Sequence, residues 1–92
     1  MIRTFRHKGL KRLHRDGDGR GVGPAIRPRV EEALTLLNVA RGPEDMSLPG
    51  FRLHPLSGDL DDFWSVTVTR NWRIIFRFAD GDVWDVDLID YH

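Results

Sequence analysis

The run Asp90-Tyr91-His92 sets a carboxylate, a phenol and an imidazole in consecutive positions. An imidazole gives or takes a proton near neutral pH, so His92 is a candidate acid or base. Asp90 can orient or charge-balance it. Tyr91 can donate a hydrogen bond or stack on a flat ring. Such a cluster needs a rigid support, because the last residues of a chain are ordinarily solvated and frayed. The support is at hand in the aromatic-rich, alternating runs 72–78 and 83–89, which read as strands.

The elements that must position these groups can be read along the chain. Residues 2–5 form a short strand candidate, and residues 7–15 a basic helix with Leu10 and Leu13 turned inward. Residues 16–23 are a glycine-rich, flexible connector. They lack the spacing of a dinucleotide fingerprint and the ligand set of a calcium loop. Pro24 opens a second helix, in which Ile26, Val30, Ala33, Leu34, Leu37 and Ala40 share a face until Arg41-Gly42-Pro43 stops it. Residues 44–50 are a loop.

From Phe51 the period becomes two. Phe51, Arg52, Leu53 and His54 alternate, which puts Arg52 and His54 on one side together. Trp64, Val66 and Val68 share one face, as do Trp72, Ile74, Phe76 and Phe78, and then Trp84, Val86 and Leu88. All are even-numbered, so paired residues must sum to an even number if these faces are to coincide. That selects three-residue hairpin loops at 69–71 and 79–81, with Gly81 in the left-handed position. Thr67, Arg73 and Asp87 then lie side by side on the other face, with an Arg73–Asp87 ion pair expected and Tyr91 further along. The expected fold class is α+β: an N-terminal strand, two helices, then an antiparallel β-meander packed on the helices, as one domain over residues 1–92.

Composition narrows the function. With 92 residues and 40% hydrophobic content the chain builds one modest core. It has no Cys, which excludes disulfides and thiolate metal sites. There is no apolar leader and no stretch long enough to span a membrane, so a cytoplasmic protein is expected. The formal net charge of zero conceals an asymmetry. Residues 1–30 hold nine Lys and Arg against Asp16 and Asp18, a net of +7, and residues 31–92 hold five Arg against twelve acids, a net of −7. Either the halves pair with each other or one side faces a polyanion, with nucleic acid the expected partner. His7 and His14 lie seven apart on the first helix. No carboxylate or Cys joins them in sequence, so they read with Lys8, Lys11, Arg12 and Arg15 as a basic surface and not as a metal pair.

Three segments together resemble one family. They are Leu53-His54-Pro55-Leu56-Ser57-Gly58, the stretch Trp64-Ser65-Val66-Thr67-Val68 followed by Asn71-Trp72-Arg73-Ile74, and Asp90-Tyr91-His92. With the opening Met1-Ile2-Arg3-Thr4-Phe5-Arg6-His7-Lys8-Gly9-Leu10-Lys11, they make the chain similar to the HigB (plasmid-maintenance killer protein) branch of the RelE/ParE toxin superfamily. The resemblance implies a ribosome-dependent endoribonuclease that cuts mRNA in the ribosomal A site without a metal or other cofactor. It implies as partners a HigA-like helix-turn-helix antitoxin, the ribosome with its mRNA and rRNA, and operator DNA through the antitoxin alone. Relatives of the ParE type act on DNA gyrase instead. A non-catalytic inhibitor, or an attenuated member that binds its antitoxin for co-repression, is therefore the competing reading.

Under this resemblance the catalytic candidates are His92, Tyr91, Asp90, Arg73 and His54. Cleavage through the 2′-OH needs a base, a donor to the phosphate oxygens and an acid for the 5′-oxygen. His92 is the acid–base candidate, His54 is either a second one or a hydrogen-bonded structural His, and Arg73 is the candidate phosphate clamp, its planar cation suited to phosphorane charge. Tyr91 stacks on a base or covers the sheet. Asp90 orients a neighbour or makes a local turn bond. The RNA-binding candidates are Asn71, Arg52 and Arg77, with Lys8, Lys11, Arg12 and Arg15 on rRNA phosphates. One departure stands out. Ser57 occupies a position where HigB-like proteins often carry Lys, so either Arg52 or Arg77 supplies the missing cation or the protein is a weak toxin or one with altered codon choice.

Overall fold

The first helix begins where a side chain can take over a backbone acceptor's work. In the computed structural model, which describes residues 1–91, α1 (Lys8–Asp16) is capped by His7, whose Nδ1 accepts the Leu10 N–H at 3.1 Å. It ends on Gly17 at φ 70, a left-handed cap that suits a residue without Cβ. Leu10 and Leu13 are buried, as their spacing predicts. The glycine-rich segment that follows is not a flexible connector. Val22 is buried in the core, and the Gly21 carbonyl packs so closely on Gly9 that a methyl group there would overlap it.

The second helix, α2 (Arg27–Val39), starts later than Pro24. The proline in its first turn is Pro28, where a missing N–H costs nothing. The Gly23 carbonyl accepts the N–H groups of both Ile26 and Arg27, so residues 24–26 form a turn ahead of the helix. Val30, Ala33, Leu34 and Leu37 are buried, and Ala40 turns extended to end the helix. A 3-10 turn (Pro43–Met46) then carries Met46 fully into the core, inside what reads in sequence as a plain loop.

The sheet is antiparallel in the order β1 (His54–Pro55), β2 (Trp64–Thr67), β3 (Trp72–Ala79), β4 (Asp82–Asp90). The expected N-terminal strand survives as two bridges, Ile2 to Val83 and Phe5 to Val86, parallel to the outer edge of β4. Val66, Ile74, Phe76 and Val86 pack with Leu10, Val30, Leu34 and Leu37 in one core. The first strand is shorter than the alternation at 51–54 suggests. Arg52 adopts φ 50, which breaks the extended run before His54, while the Phe51 carbonyl still accepts the Thr67 N–H at 2.6 Å.

The β2–β3 register is the predicted one. Thr67 faces Arg73, and the Val68 N–H reaches the Trp72 carbonyl across a three-residue loop, 69–71. The β3–β4 register is not. Ala79 pairs with Asp82, leaving only Asp80 (φ 56) and Gly81 (φ 79) in the turn. Two positive φ values make the two-residue turn that Asp-Gly favours. That turn gives an odd pairing sum, with Arg77 facing Trp84 and Phe78 facing Val83. Core parity returns through a bulge: between Arg77–Trp84 and Ile75–Asp87, β3 has Phe76 alone and β4 has Asp85 and Val86. Asp85 takes φ 56 at this point.

Two expectations fail as a result. Trp84 leaves the core face, its Nε1 donating to the Ala79 carbonyl at 3.0 Å, and Val83 is buried in its stead. Arg73 faces Ile89, while Asp87 faces Ile75, so the predicted Arg73–Asp87 ion pair does not form. No helix among the described residues is long and apolar enough to cross a membrane.

Candidate active site

On the sheet face away from the helices, beside the β2–β3 turn and the end of β4, lies a cleft of about 210 Å³ lined by Arg52, His54, Ser65, Thr67, Arg73 and Tyr91. A second cavity of about 300 Å³ adjoins it, lined by Arg52, Thr67, Arg70 and Arg73. The register explains the convergence. Ser65 faces His54 on one side and Ile75 on the other, and Thr67 faces Arg73. These odd-numbered β2 and β3 positions share a face, and β1 brings His54 to its edge.

Arg73 is held firmly by backbone acceptors. Its Nη1 donates to the carbonyls of Thr69 at 2.7 Å, Arg70 at 3.1 Å and Trp72 at 3.3 Å. Its Cζ lies 5.0 Å from the centre of the Tyr91 ring, a cation–π distance. All three acceptors are neutral, and the described bonds leave Nε and Nη2 for another acceptor. Planar guanidinium donors of this kind match a phosphate's oxygens. The Tyr91 N–H donates to the Asn71 carbonyl. The 69–71 loop therefore anchors both Arg73 and Tyr91. Asn71 is exposed on that loop.

Arg52 stands at the rim in the left-handed region, φ 50, a conformation that costs an L-residue with a long side chain on the order of 1 kcal/mol. It is held there by its neighbours: Gly50 turns at φ 88, and Phe51 is buried with the Arg29 guanidinium 4.0 Å over its ring. Asp90 pairs with Trp72, and strand alternation sets it with Leu88 on the face opposite Tyr91. His92, the acid–base candidate at the chain's end, lies outside the described residues.

The other sequence candidates fall elsewhere. Arg77 is four residues along β3 from Arg73, roughly 13 Å away at strand rise. Its Nε donates to Asp85 Oδ2 at 2.8 Å, and its Cζ lies 5.8 Å from the centre of the Trp84 ring. The Arg77 hydrogen bond holds the Asp85 carboxyl below the usual carboxylate range. Ser57 precedes the 3-10 turn Gly58–Leu60, exposed and outside the cleft lining. Lys8, Lys11, Arg12 and Arg15 are exposed on α1, and none is in an ion pair among the described residues. Among the described residues, the one salt bridge between side chains of the two oppositely charged halves, other than Arg29 with nearby Glu32, is Arg3–Asp82 at 2.9 Å. Pairing between the described residues of the two halves therefore leaves the α1 cations out of ion pairs. His7 spends Nδ1 on its cap and His14 lies against the Phe5 ring at 5.7 Å. No group of three or more His, Asp or Glu among the described residues could hold a metal.

Sequence reasoning missed Arg70 and Ser65. Alternation singles out strand positions, and Arg70 sits in a loop where alternation is silent. The available signal was the loop length itself, since a three-residue loop puts residue 70 at its apex. Ser65 is buried on what reads as the polar face, together with Phe63 and Ile75. A cleft that joins imidazole, phenol and a guanidinium in no ion pair among the described residues can move protons and stabilise an anion at one place.

The chain matches the model of the HigB-like toxins, RelE-like toxins of type II toxin–antitoxin systems, over residues 3–92. It is 39% identical to Endoribonuclease HigB of Proteus vulgaris over 92 residues, all of both chains. It is 29% identical over 83 residues to Toxin HigB-1 of Vibrio cholerae serotype O1, covering 88% of this chain and 87% of that one. Among solved structures, the YoeB–YefM complex of Staphylococcus aureus matches with a TM-score of 0.64 at 14% identity, covering 100% of this chain and 95% of that one. YafQ of E. coli matches with a TM-score of 0.61 at 16% identity, over 98% and 91%. These two likenesses are of fold.

Proposed function

This chain belongs to the HigB-like branch of the RelE-like toxins of type II toxin–antitoxin systems, and from that premise we propose that it is an endoribonuclease that cuts mRNA on the ribosome. One observation supports the reading above the rest. Arg73 lies in a cleft with His54 and Tyr91 and, among the described residues, its hydrogen bonds go to neutral carbonyls. A phosphodiester is the ligand that such a guanidinium lacks.

The reaction we assign is a transesterification. A base removes the 2′-OH proton, the 2′-oxygen attacks phosphorus, and the bond to the 5′-oxygen breaks. An acid returns a proton to that oxygen, leaving a 2′,3′-cyclic phosphate and a 5′-OH. His54 and His92 are the two proton carriers, Asp90 orients its neighbours, and Arg73 meets the charge that grows on the phosphorane. Tyr91 lies against the Arg73 cation and offers its exposed ring to a base. Arg52 and Asn71 hold the RNA on either side. The α1 cations Lys8, Lys11, Arg12 and Arg15 face rRNA phosphates. Arg77, spent on Asp85, holds the sheet together in this scheme. The toxin works in the cytoplasm and is silenced by a HigA-like helix-turn-helix antitoxin, through which it meets operator DNA.

Primer extension on a translated reporter mRNA with purified ribosomes tests this. The wild type is expected to cut in frame with codons and only when ribosomes are present. Arg73→Gln and His54→Ala are expected to lose the cuts while remaining folded. A folded wild type that binds ribosomes and leaves the mRNA whole would overturn the assignment.

A further inference from the structure

We infer that the cavity lined by Arg52, Arg70, Arg73 and Thr67 is a second phosphate site, which takes an RNA phosphodiester next to the one being cut, with Arg70 as its own cation. The inference rests on the endoribonuclease reading and adds a subsite to it. Three guanidinium-bearing residues come to one cavity from three segments: the approach to β1, the 69–71 loop and β3. No acidic residue lines it, and none of the three is in an ion pair among the described residues. Like charges gathered this way repel one another until an anion joins them. Arg52 adds to that the cost of its left-handed backbone. The cavity shares Arg52, Thr67 and Arg73 with the cleft, but His54 and Tyr91 do not line it, so among the described residues it has cations without a proton carrier. Its described lining suits it to bind a phosphate.

Arg70 is placed by its backbone. Its carbonyl accepts Arg73 Nη1 at 3.1 Å, so the loop apex is tied to the clamp while the Arg70 side chain is left to the ligand. Replacing that side chain leaves the carbonyl brace of Arg73 in place, which makes the two roles separable. The site also supplies a cation beside the cleft in a chain with Ser57 outside it.

The test is binding of a short 2′-O-methyl RNA oligonucleotide, which cannot be cut, followed by fluorescence anisotropy over a salt series. Arg70→Gln is expected to weaken binding roughly five- to twentyfold at low salt and to flatten the salt slope by about 0.7, the value for one phosphate contact on a single strand. Arg70→Lys is expected to keep most of the affinity. Arg41→Gln, an exposed charge outside both cavities, is expected to change nothing. If Arg73→Gln weakens binding while Arg70→Gln behaves like Arg41→Gln, the second site is refuted and the cleft reading stands. If neither Arg73→Gln nor Arg70→Gln alters binding, the cleft is not an RNA site and both readings fall.

Discussion

Arg73 and Arg77 lie on the same face of the same strand, four residues apart, and each sits beside an aromatic ring. Among the described residues one is paired with an acid and the other is not. Arg77 has a carboxylate at 2.8 Å, and Arg73 has three carbonyls. The difference comes from the backbone of the neighbouring strand. The bulge at Asp85 turns that carboxylate to Arg77, and it shifts the register so that Asp87 faces Ile75 and Ile89 faces Arg73. With neutral partners an arginine is oriented without an anion to compensate its charge. With an acid it becomes part of the scaffold. Residue type does not separate a site cation from a structural one; the charge of its partners does.

The largest expected contrast is in activity. Arg73→Gln should lower cleavage by on the order of a hundredfold or more, the usual consequence of removing a positioned donor to a developing oxyanion. Arg77→Gln should stay within about threefold of wild type and instead lose about 1 kcal/mol of stability with its partly exposed ion pair. Cleavage assays beside urea denaturation check both, and equal losses of activity would erase the contrast.

Next in size is the bulge. Asp85→Ala removes the Arg77 acceptor, the hydrogen bonds with Thr4, and a residue type that tolerates φ 56. It should cost about 2 kcal/mol, read as a lower urea midpoint at unchanged slope. Asp85→Asn keeps the tolerance for left-handed backbone and should cost less.

The acid limb of stability should follow the same pair. The Asp85 carboxyl is held below its ordinary range, first by the Arg77 hydrogen bond. Its contribution is therefore fully present above the unfolded carboxylate value of about 4 and fades as pH falls through the lower folded value. The stability gap between wild type and Arg77→Met should narrow as pH drops below about 4. A gap independent of pH in that range would mean that the pair contributes through packing alone. The smallest effect belongs to Asp87→Asn, which should move stability by less than about 0.5 kcal/mol and leave cleavage unchanged. A clear gain or loss of cleavage would bring back the Arg73–Asp87 pairing.

How much of this was legible beforehand differed between the two hairpins. Alternation placed β2 against β3 correctly because residues 69–71 form the loop that even parity requires. The same rule failed on β4, where Asp80-Gly81 makes a two-residue turn and a bulge later restores parity. A rule that counts residues in steps of two cannot foresee one extra residue. Trp84 was misplaced for that reason, and so was the partner of Arg73. Of the candidate site, Arg52, His54, Arg73 and Tyr91 do come together in one cleft. Arg77 does not join them, and Asp90 extends from the opposite face. Arg70 escaped notice because its place depends on the loop backbone, which no periodicity describes. Met46 and Val22, buried inside segments that read as loops, were hidden for the same reason.

The most direct test transplants the neutralising acid. Ile89 faces Arg73 across the ladder, so Ile89→Asp sets a carboxylate beside it, and Ile89→Asn offers a similar shape without the charge. If the uncompensated charge of Arg73 makes the site, ribosome-dependent cleavage by Ile89→Asp should fall at least about tenfold below that of Ile89→Asn, with both variants folded. Equal cleavage by the two would contradict the account.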